Sequence, residues 1–406
     1  MYYLALPHRR PSYFGAPWRF RTTGFASLDG REWKGERAFV ILPMSDWHVR
    51  RQRPQHLAAA LASMGYPCLF VNPHLGLEYS RPFAFDPKPR ITWLDRRIAE
   101  LHVHLPAEHE LSTRPLYPEE SERIAAAILG ALAGLGVMEG AVLAGQPVWR
   151  DAGKSIRSKL GFPLIYDCHD LLSGFGRVPP GVVSMEEELI DDSDYVLFSS
   201  SYLETTQLAR NPALRSKSAL VRNAYAPGPA HNAPAMPDRP PVVGYAGALD
   251  HWFDTDAVAA AAERHPKVRF AILGKVESQP IRRLGRFSNV ELTGEVPYRE
   301  VRERTARWSA ALIPFKVMPL TLATNPIKLY EYLSDGLPVI SSRLPEVERF
   351  GDLVYIADTP ERYADAVERA LQEEPALRDR RKIAVASETW TNRANRILEL
   401  LGWVRA

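Results

Sequence analysis

Residues 324–342, TNPIKLYEYLSDGLPVISS, hold the side chains whose types and spacing most directly suggest chemistry. Asn325 and Pro326 end a loop, Pro326 and Ile327 suit the start of a helix, and Gly336 suits its stop before a buried strand. Backbone amides at a helix start, with about half a positive charge equivalent from the peptide dipoles, favour a diphosphate. Lys328 falls in that first turn and adds a full charge at a phosphate. Glu331 follows one turn later on the same side, where a carboxylate accepts hydrogen bonds from two ribose hydroxyls. A solvated helix face is the competing reading. The position between a proline start and a glycine-led strand favours the functional one.

Three further segments place polar groups at strand ends. YAGALDHWFD, residues 245–254, offers Gly244 just upstream and Gly247 for close backbone approach to a ligand. Asp254 there reads as a helix cap, and Trp252 and Phe253 line a cleft or pack. YDCHDLLSGF, residues 166–175, sets Asp167, His169 and Asp170 at the carboxyl end of a strand, where open α/β sheets hold ligands. SDWHVRRQRPQH, residues 45–56, carries Arg50, Arg51 and Arg53, suited to a diphosphate, a uronate or an anionic membrane surface, with Trp47 and His48 beside them. The alternative for this last segment is a solvated basic loop with Trp47 packed beneath it. Asp192-Ser193-Asp194 spells a metal-binding D-x-D, but it precedes a strand instead of ending one. With no histidine cluster at ligand spacing, no metal is expected.

Short apolar runs alternating with helical patterns must position these groups. The first series is AFVILP (38–43), a helix opening at Pro54, YPCLFVN (66–72), LHVHL (101–105), a helix through 121–134, AVLAG (141–145), PLIYD (163–167), DYVLFSS (194–200) and ALVRN (219–223). The second is PVVGYAG (241–247), VRFAILG (268–274), VELTG (290–294), SAALIPF (309–315), LPVISS (337–342) and DLVYIA (352–357), with helices over 297–308 and 326–335. Such alternation predicts parallel sheets covered on both faces. The Pro-rich break at 224–241 reads as a linker between domains 1–223 and 242–386. Residues 387–406 follow, with a helix from about 387 to 401 whose Trp390, Ile397, Leu398 and Leu401 share one side and which Gly402 ends. That helix either crosses back onto the first domain or closes the second.

The 406 residues are 46% apolar and 24% charged, the balance of a globular protein with two or three domains. A net charge of +3 is too small to indicate a nucleic-acid partner. Cys68 and Cys168 have no metal-ligand spacing and read as small buried side chains. No apolar stretch reaches signal-peptide form at the N-terminus. The longest one, residues 124–137, holds three glycines and falls short of the ~20 residues a bilayer requires. A cytoplasmic location follows, with peripheral contact at the inner face of the membrane left open.

Pro326, Lys328, Glu331, Gly336, Pro338 and Val339 match a P-x-K-x-x-E-x-x-x-x-G-x-P-V run. In this the sequence resembles the GT-B glycosyltransferases, particularly the family 4-like enzymes of bacterial polysaccharide assembly. R-P-Q-H, YAGALDHWFD and LTGEVPY occur in the matching order along nearly the whole chain. The resemblance implies two Rossmann-like domains facing across a cleft, donor on the C-terminal one and acceptor on the N-terminal one. It brings the GEVP loop, and Glu295 with it, towards the base or ribose, the competing role for Glu295 being a helix start ahead of Pro297. Asp170 resembles the catalytic-base position of the inverting glucuronosyltransferases of xanthan-type synthesis, with His169 the alternative base and Asp167 holding the loop. Many retaining members have E-x7-E, whereas the first glutamate's place is taken by Ala323, which leans the expectation towards inversion. The expected function is metal-independent transfer of a sugar from a nucleotide diphosphate, with uridine favoured, to a hydroxyl of a glycan or lipid-linked acceptor. No cofactor beyond that co-substrate is implied. A nucleotide-sugar epimerase or hydrolase, and a non-catalytic nucleotide-sugar-binding protein, are the alternatives.

Overall fold

The computed structural model describes residues 32–48, 50–73, 89–103, 105, 111, 114–228 and 240–403. The N-terminal segment and residues 229–239 of the Pro-rich break lie outside the described residues. The chain forms two compact units, Met1–Ser199 with Glu204–Val221, and Ser200–Leu203 with Arg222–Ala406.

The first unit holds β1 (Arg37–Leu42), β2 (Cys68–Val71), β3 (Arg90–Asp95), β4 (Ile98–His102), β5 (Glu139–Ala144), β6 (Leu164–Cys168), β7 (Tyr195–Phe198) and β8 (Ser218–Leu220). Their order across the sheet is β3-β4-β2-β1-β5-β6-β7-β8. The central strands are buried along nearly every residue, as continuous apolar runs in a parallel sheet must be. The sequence reading missed β3. It pairs antiparallel with β4 at the edge, and Trp93 from it meets Trp33 edge-on at 5.6 Å. β4 itself lies at 98–102, upstream of most of the run LHVHL, because its register is set by β2.

The second unit holds β9 (Val242–Ala246), β10 (Arg269–Leu273), β11 (Val290–Gly294), β12 (Ala310–Ile313), β13 (Val339–Ser341) and β14 (Val354–Ile356). All pairings are parallel, in the order β11-β10-β9-β12-β13-β14. Strand order reverses between β9 and β12 here, and between β1 and β5 in the first unit. At such a point neighbouring connections leave on opposite faces and open a crevice at the carboxyl ends of the strands.

The described start of the Pro-rich break is fastened to the second unit. Tyr225 pairs with Thr389, its amide donates to the Glu388 carbonyl at 3.1 Å, and Arg393 Nε donates to the Arg222 carbonyl at 2.9 Å. The helix Trp390–Leu400 belongs to this unit. It ends at Gly402, φ +65°, where the amides of Gly402 and Trp403 return to Glu399 and Leu398, the glycine stop that satisfies terminal carbonyls. Among the described residues, no helix is long and apolar enough to cross a membrane. Cys68 and Cys168 are free and buried, with both thiols pushed up by burial.

Candidate active site

In the second unit the site is built at the end of β9. The amide of Gly247 donates to the Leu273 carbonyl at 2.9 Å, and a Cβ on Gly274 would fall 1.8 Å from the Gly247 carbonyl oxygen. A side chain at position 274 is therefore excluded. A Cβ on Gly247 would meet Lys328 Cε and Nζ at 2.9 Å, so the ammonium lies directly over this crossing. The rings of Tyr245 and Phe315, at 5.0 and 5.2 Å, hold it there through their negative faces. Gly244 plays a different part from the one expected. Its missing Cβ makes room for the indole of Trp308, which would otherwise be 2.1 Å away. Trp252 and Phe253 are both buried, and Asp254 caps the helix Thr255–Arg264 by accepting from the amides of Asp256 and Ala257.

Pro326, where the sequence starts the helix, is instead the cap of the helix Ile327–Ser334, which begins one position later. Ile327 and Lys328 supply the first-turn amides, and Leu329 is the first to close back, onto the Pro326 carbonyl at 3.1 Å. The Asn325 side chain turns inward. Its Nδ2 donates to Glu346 Oε2 at 3.2 Å, and the backbone carbonyl of Asn325 accepts from Asn223 Nδ2 at 2.6 Å. Glu346 is wholly buried and also accepts from the Ser201 amide and hydroxyl, at 2.7 and 2.8 Å, and from Arg222 Nε at 2.7 Å. It anchors the turn, a role its place behind Pro345 in the sequence does not announce. Ala323 is buried, and its carbonyl accepts from Ser200 Oγ at 2.6 Å.

Glu331 is half-buried and accepts from Tyr298 Oη at 2.8 Å. Burial pushes its carboxyl above the usual range, opposed by the Tyr298 bond and by the charges of Arg302 and Lys328. Tyr298 was not singled out in the sequence. Glu295, on the same loop, is exposed, and the cap of the helix Tyr298–Thr305 is Pro297, so Glu295 is not that helix's cap.

In the first unit the ends of β1, β5 and β6 come together. A Cβ on Gly145, just beyond β5, would lie 3.4 Å from the Met44 amide nitrogen and 3.7 Å from His169 Cε1. His169 Nδ1 is 2.8 Å from the Asp167 carbonyl oxygen, which only accepts, so Nδ1 carries the proton. In the neutral tautomer Nε2 then holds the lone pair. It is buried with no hydrogen-bond partner among the described residues, and Asp170 Oδ2 stands 3.7 Å off. Burial raises the Asp170 pKa, partly offset by His169. The Asp167 carboxylate is taken by Arg53, whose Nε lies 2.9 and 2.8 Å from its two oxygens and whose guanidinium is buried.

The placement of Arg53 corrects its expected role in acceptor binding. It braces the end of β6. Its neighbours in R-P-Q-H do similar work: Gln55 accepts from the Gln52 amide at 3.0 Å and donates to the Asp46 carbonyl at 2.7 Å, which shapes the loop after β1. His48 Nε2 meets the wholly buried Glu100 at 3.0 Å, with Asn72 Nδ2 at 2.7 Å on the other oxygen. Trp47 packs edge-on against Phe70 at 5.0 Å. Arg51 alone of the three arginines is exposed, and Arg50 is half-buried.

The discounted D-x-D is committed elsewhere. Asp192 pairs with Arg150 at 2.5 Å and Lys154 at 3.0 Å, while Asp194 pairs with Arg157 at 2.5 Å and accepts from the Leu164 amide. No group of three metal-ligating side chains occurs among the described residues. A surface depression of about 240 Å³ lies between the helix Thr255–Arg264 and the turn Gln279–Arg286, rimmed by Arg283, Arg286 and Lys316. The connections that line most of it follow β9 and β10, so it opens on the face opposite the Lys328 helix.

Residues 240–373 match the family described as Glycosyl transferases group 1, and the second unit therefore carries such a domain. A Bacillus subtilis protein named for teichuronic acid biosynthesis, the glycosyltransferase TuaH, is 28% identical over 220 residues, 47% of this chain and 55% of that protein. The chain thus spans about half the length of this curated relative. Sucrose-phosphate synthase from Thermosynechococcus elongatus superposes with a TM-score of 0.67 at 15% identity, covering 90% of this chain and 98% of that one. Trehalose-6-phosphate synthase structures also match. One from E. coli, bound with UDP-2-fluoro glucose, has a TM-score of 0.63 at 13% identity over 91% and 100% of the two chains. Another, concerned with glycosyl transfer with retention, has a TM-score of 0.61 at 12% identity over 91% and 100%. The fold is GT-B.

Proposed function

We propose that this protein is a glycosyltransferase that moves a sugar from a nucleotide diphosphate, with uridine the favoured base, to a hydroxyl of a glycan or lipid-linked acceptor. The observation that carries the reading is the ammonium of Lys328 held over the Gly247 crossing, beside the first turn of its own helix and one turn from Glu331. A pyrophosphate there gains the charge of Lys328 and the amides of that turn. Glu331 takes the ribose hydroxyls. No metal is needed to neutralise the leaving group in this scheme.

The acceptor hydroxyl attacks the anomeric carbon as its proton passes to a base. The bond from that carbon to the diphosphate oxygen breaks, and the nucleotide diphosphate leaves with the electron pair. His169 Nε2, kept as the lone-pair nitrogen by the Nδ1 bond, is the base we favour, with Asp170 beside it to steady the imidazolium. This reverses the sequence-based preference for Asp170. Inversion is the proposed outcome, supported by the buried Ala323 where E-x7-E has a carboxylate. An acceptor bearing uronate or phosphate groups suits Arg51 and Arg50, and peripheral contact with an anionic membrane would use the same loop.

A panel of UDP, GDP, ADP and their sugars tests the donor reading by thermal unfolding. A true ligand at 100 times its Kd adds about 2.7 kcal/mol. No stabilisation by any member would remove the donor site, and sugar turnover without acceptor would replace transfer by epimerisation or hydrolysis. The product anomer, read by proton NMR, decides between inversion and retention.

A further inference from the structure

We propose that Tyr298 is a positioning residue of the donor site, its hydroxyl holding Glu331 Oε1 so that Oε2 faces the ribose diol of the nucleotide. The inference rests on the donor reading above and adds to it a residue from a different connection. Tyr298 is the first residue of the helix that follows β11, and its Oη lies 2.8 Å from Glu331 Oε1. Oε2 has no hydrogen bond from any described residue.

A glutamate side chain has three rotatable torsions, and freezing them on binding costs affinity. The Tyr298 bond does that freezing in the free protein. It also selects the ionised form, since a phenol donates to a carboxylate more strongly than to a neutral acid. The other charged groups facing Glu331 are Arg302 and Lys328, which favour ionisation, and Asp335, which opposes it. A bare aliphatic neighbour in place of the hydroxyl would leave a half-buried carboxylate with a higher pKa and a freer rotamer. The loop Gly294–Pro297 thereby contributes to nucleotide recognition through the residue that follows it, while Glu295 remains exposed.

The experiment is calorimetric titration of wild type, Tyr298→Phe, Glu331→Gln and the double variant with UDP, GDP and ADP, then with the 2′-deoxy form of the tightest. Failure of the wild type to bind any of the three overturns the donor reading itself. If the wild type binds, Tyr298→Phe is expected to weaken the ribonucleotide about 3- to 10-fold, the range of one hydrogen bond. It should also bring the ribo-to-deoxy ratio towards one and shift the acid limb of binding to higher pH. In the Glu331→Gln background the same change should add nothing. Equal weakening of both sugars, no change in either, or the same loss in both backgrounds overturns the proposal. Should Tyr298→Phe fail to fold, Glu331→Asp provides the second reading. The shorter carboxylate must lose the ribo preference while keeping Lys328-dependent diphosphate binding, and an undiminished preference also overturns it.

Discussion

The carboxyl ends of the two sheets use charge differently. In the second unit Lys328 rests against the faces of Tyr245 and Phe315, and Glu331 accepts from the Tyr298 hydroxyl with the charges of Arg302 and Lys328 nearby. In the first unit the charged residues of the corresponding segments are bonded within the protein: Arg53 to Asp167, and Glu100 to His48 and Asn72. A charged motif at a strand end does not by itself mark a ligand site. Where the partner is an opposite charge and both are buried, the pair shapes the loop and leaves recognition to its neighbours.

The sharpest way to break this contrast is Arg53→Ala. Removing one partner of a buried pair strands the other, and a loss of about 3–5 kcal/mol is expected in denaturant unfolding. An unchanged midpoint with a raised acceptor KM would return Arg53 to the acceptor site. Next in size, His169→Ala should lower kcat about 10²- to 10⁴-fold with nucleotide affinity intact. Asp170→Asn should cost less than that if the imidazole is the base. A larger loss from Asp170→Asn, measured in single turnover, would restore Asp170 to that role. Lys328→Ala should weaken nucleotide diphosphate binding by about 1.5–3 kcal/mol, with the unfolding midpoint close to wild type, and should weaken the nucleoside hardly at all. Equal losses for UDP and uridine would mean the ammonium is structural after all.

Smaller effects sharpen the comparison. In the proposed donor site Glu331 must be ionised to accept from two hydroxyls, and its carboxyl is raised by burial. Nucleotide affinity is therefore complete above that raised pKa and falls as pH drops through it, earlier on acidification than for an ordinary glutamate. The same raised value makes the folded state bind its proton more readily, so this group's contribution to stability declines as pH rises between the unfolded and folded pKa values. Arg51→Ala, exposed in the loop after β1, should leave stability unaltered and affect only acidic acceptors, by about twofold at low salt.

Both the alternation of the strands and, to within one residue at each end, the helix Ile327–Ser334 were legible in the sequence. So was the end of β6, with Asp167 read as the residue that holds the loop. β3 was not, since RITWLD becomes a strand only when β4 offers it an edge. Tyr298 and Glu346 were illegible for a related reason. Each acts on a residue 33 or 21 positions away along the chain, and nothing in local spacing records that.

Local rules were enough for the helix that presents Lys328 and Glu331 together, because proline at a start, glycine at a stop and a three-residue interval act within one turn. They were also enough for two series of buried parallel strands, since continuous apolar runs have few other solutions. Which charges stay available was settled only by tertiary structure. Arg51 and Arg53 are two residues apart in one basic segment, yet one meets water and the other a buried carboxylate from position 167. Whether a charge recognises a ligand or holds a loop depends on the groups that long-range packing brings beside it, and composition and periodicity carry no record of those neighbours.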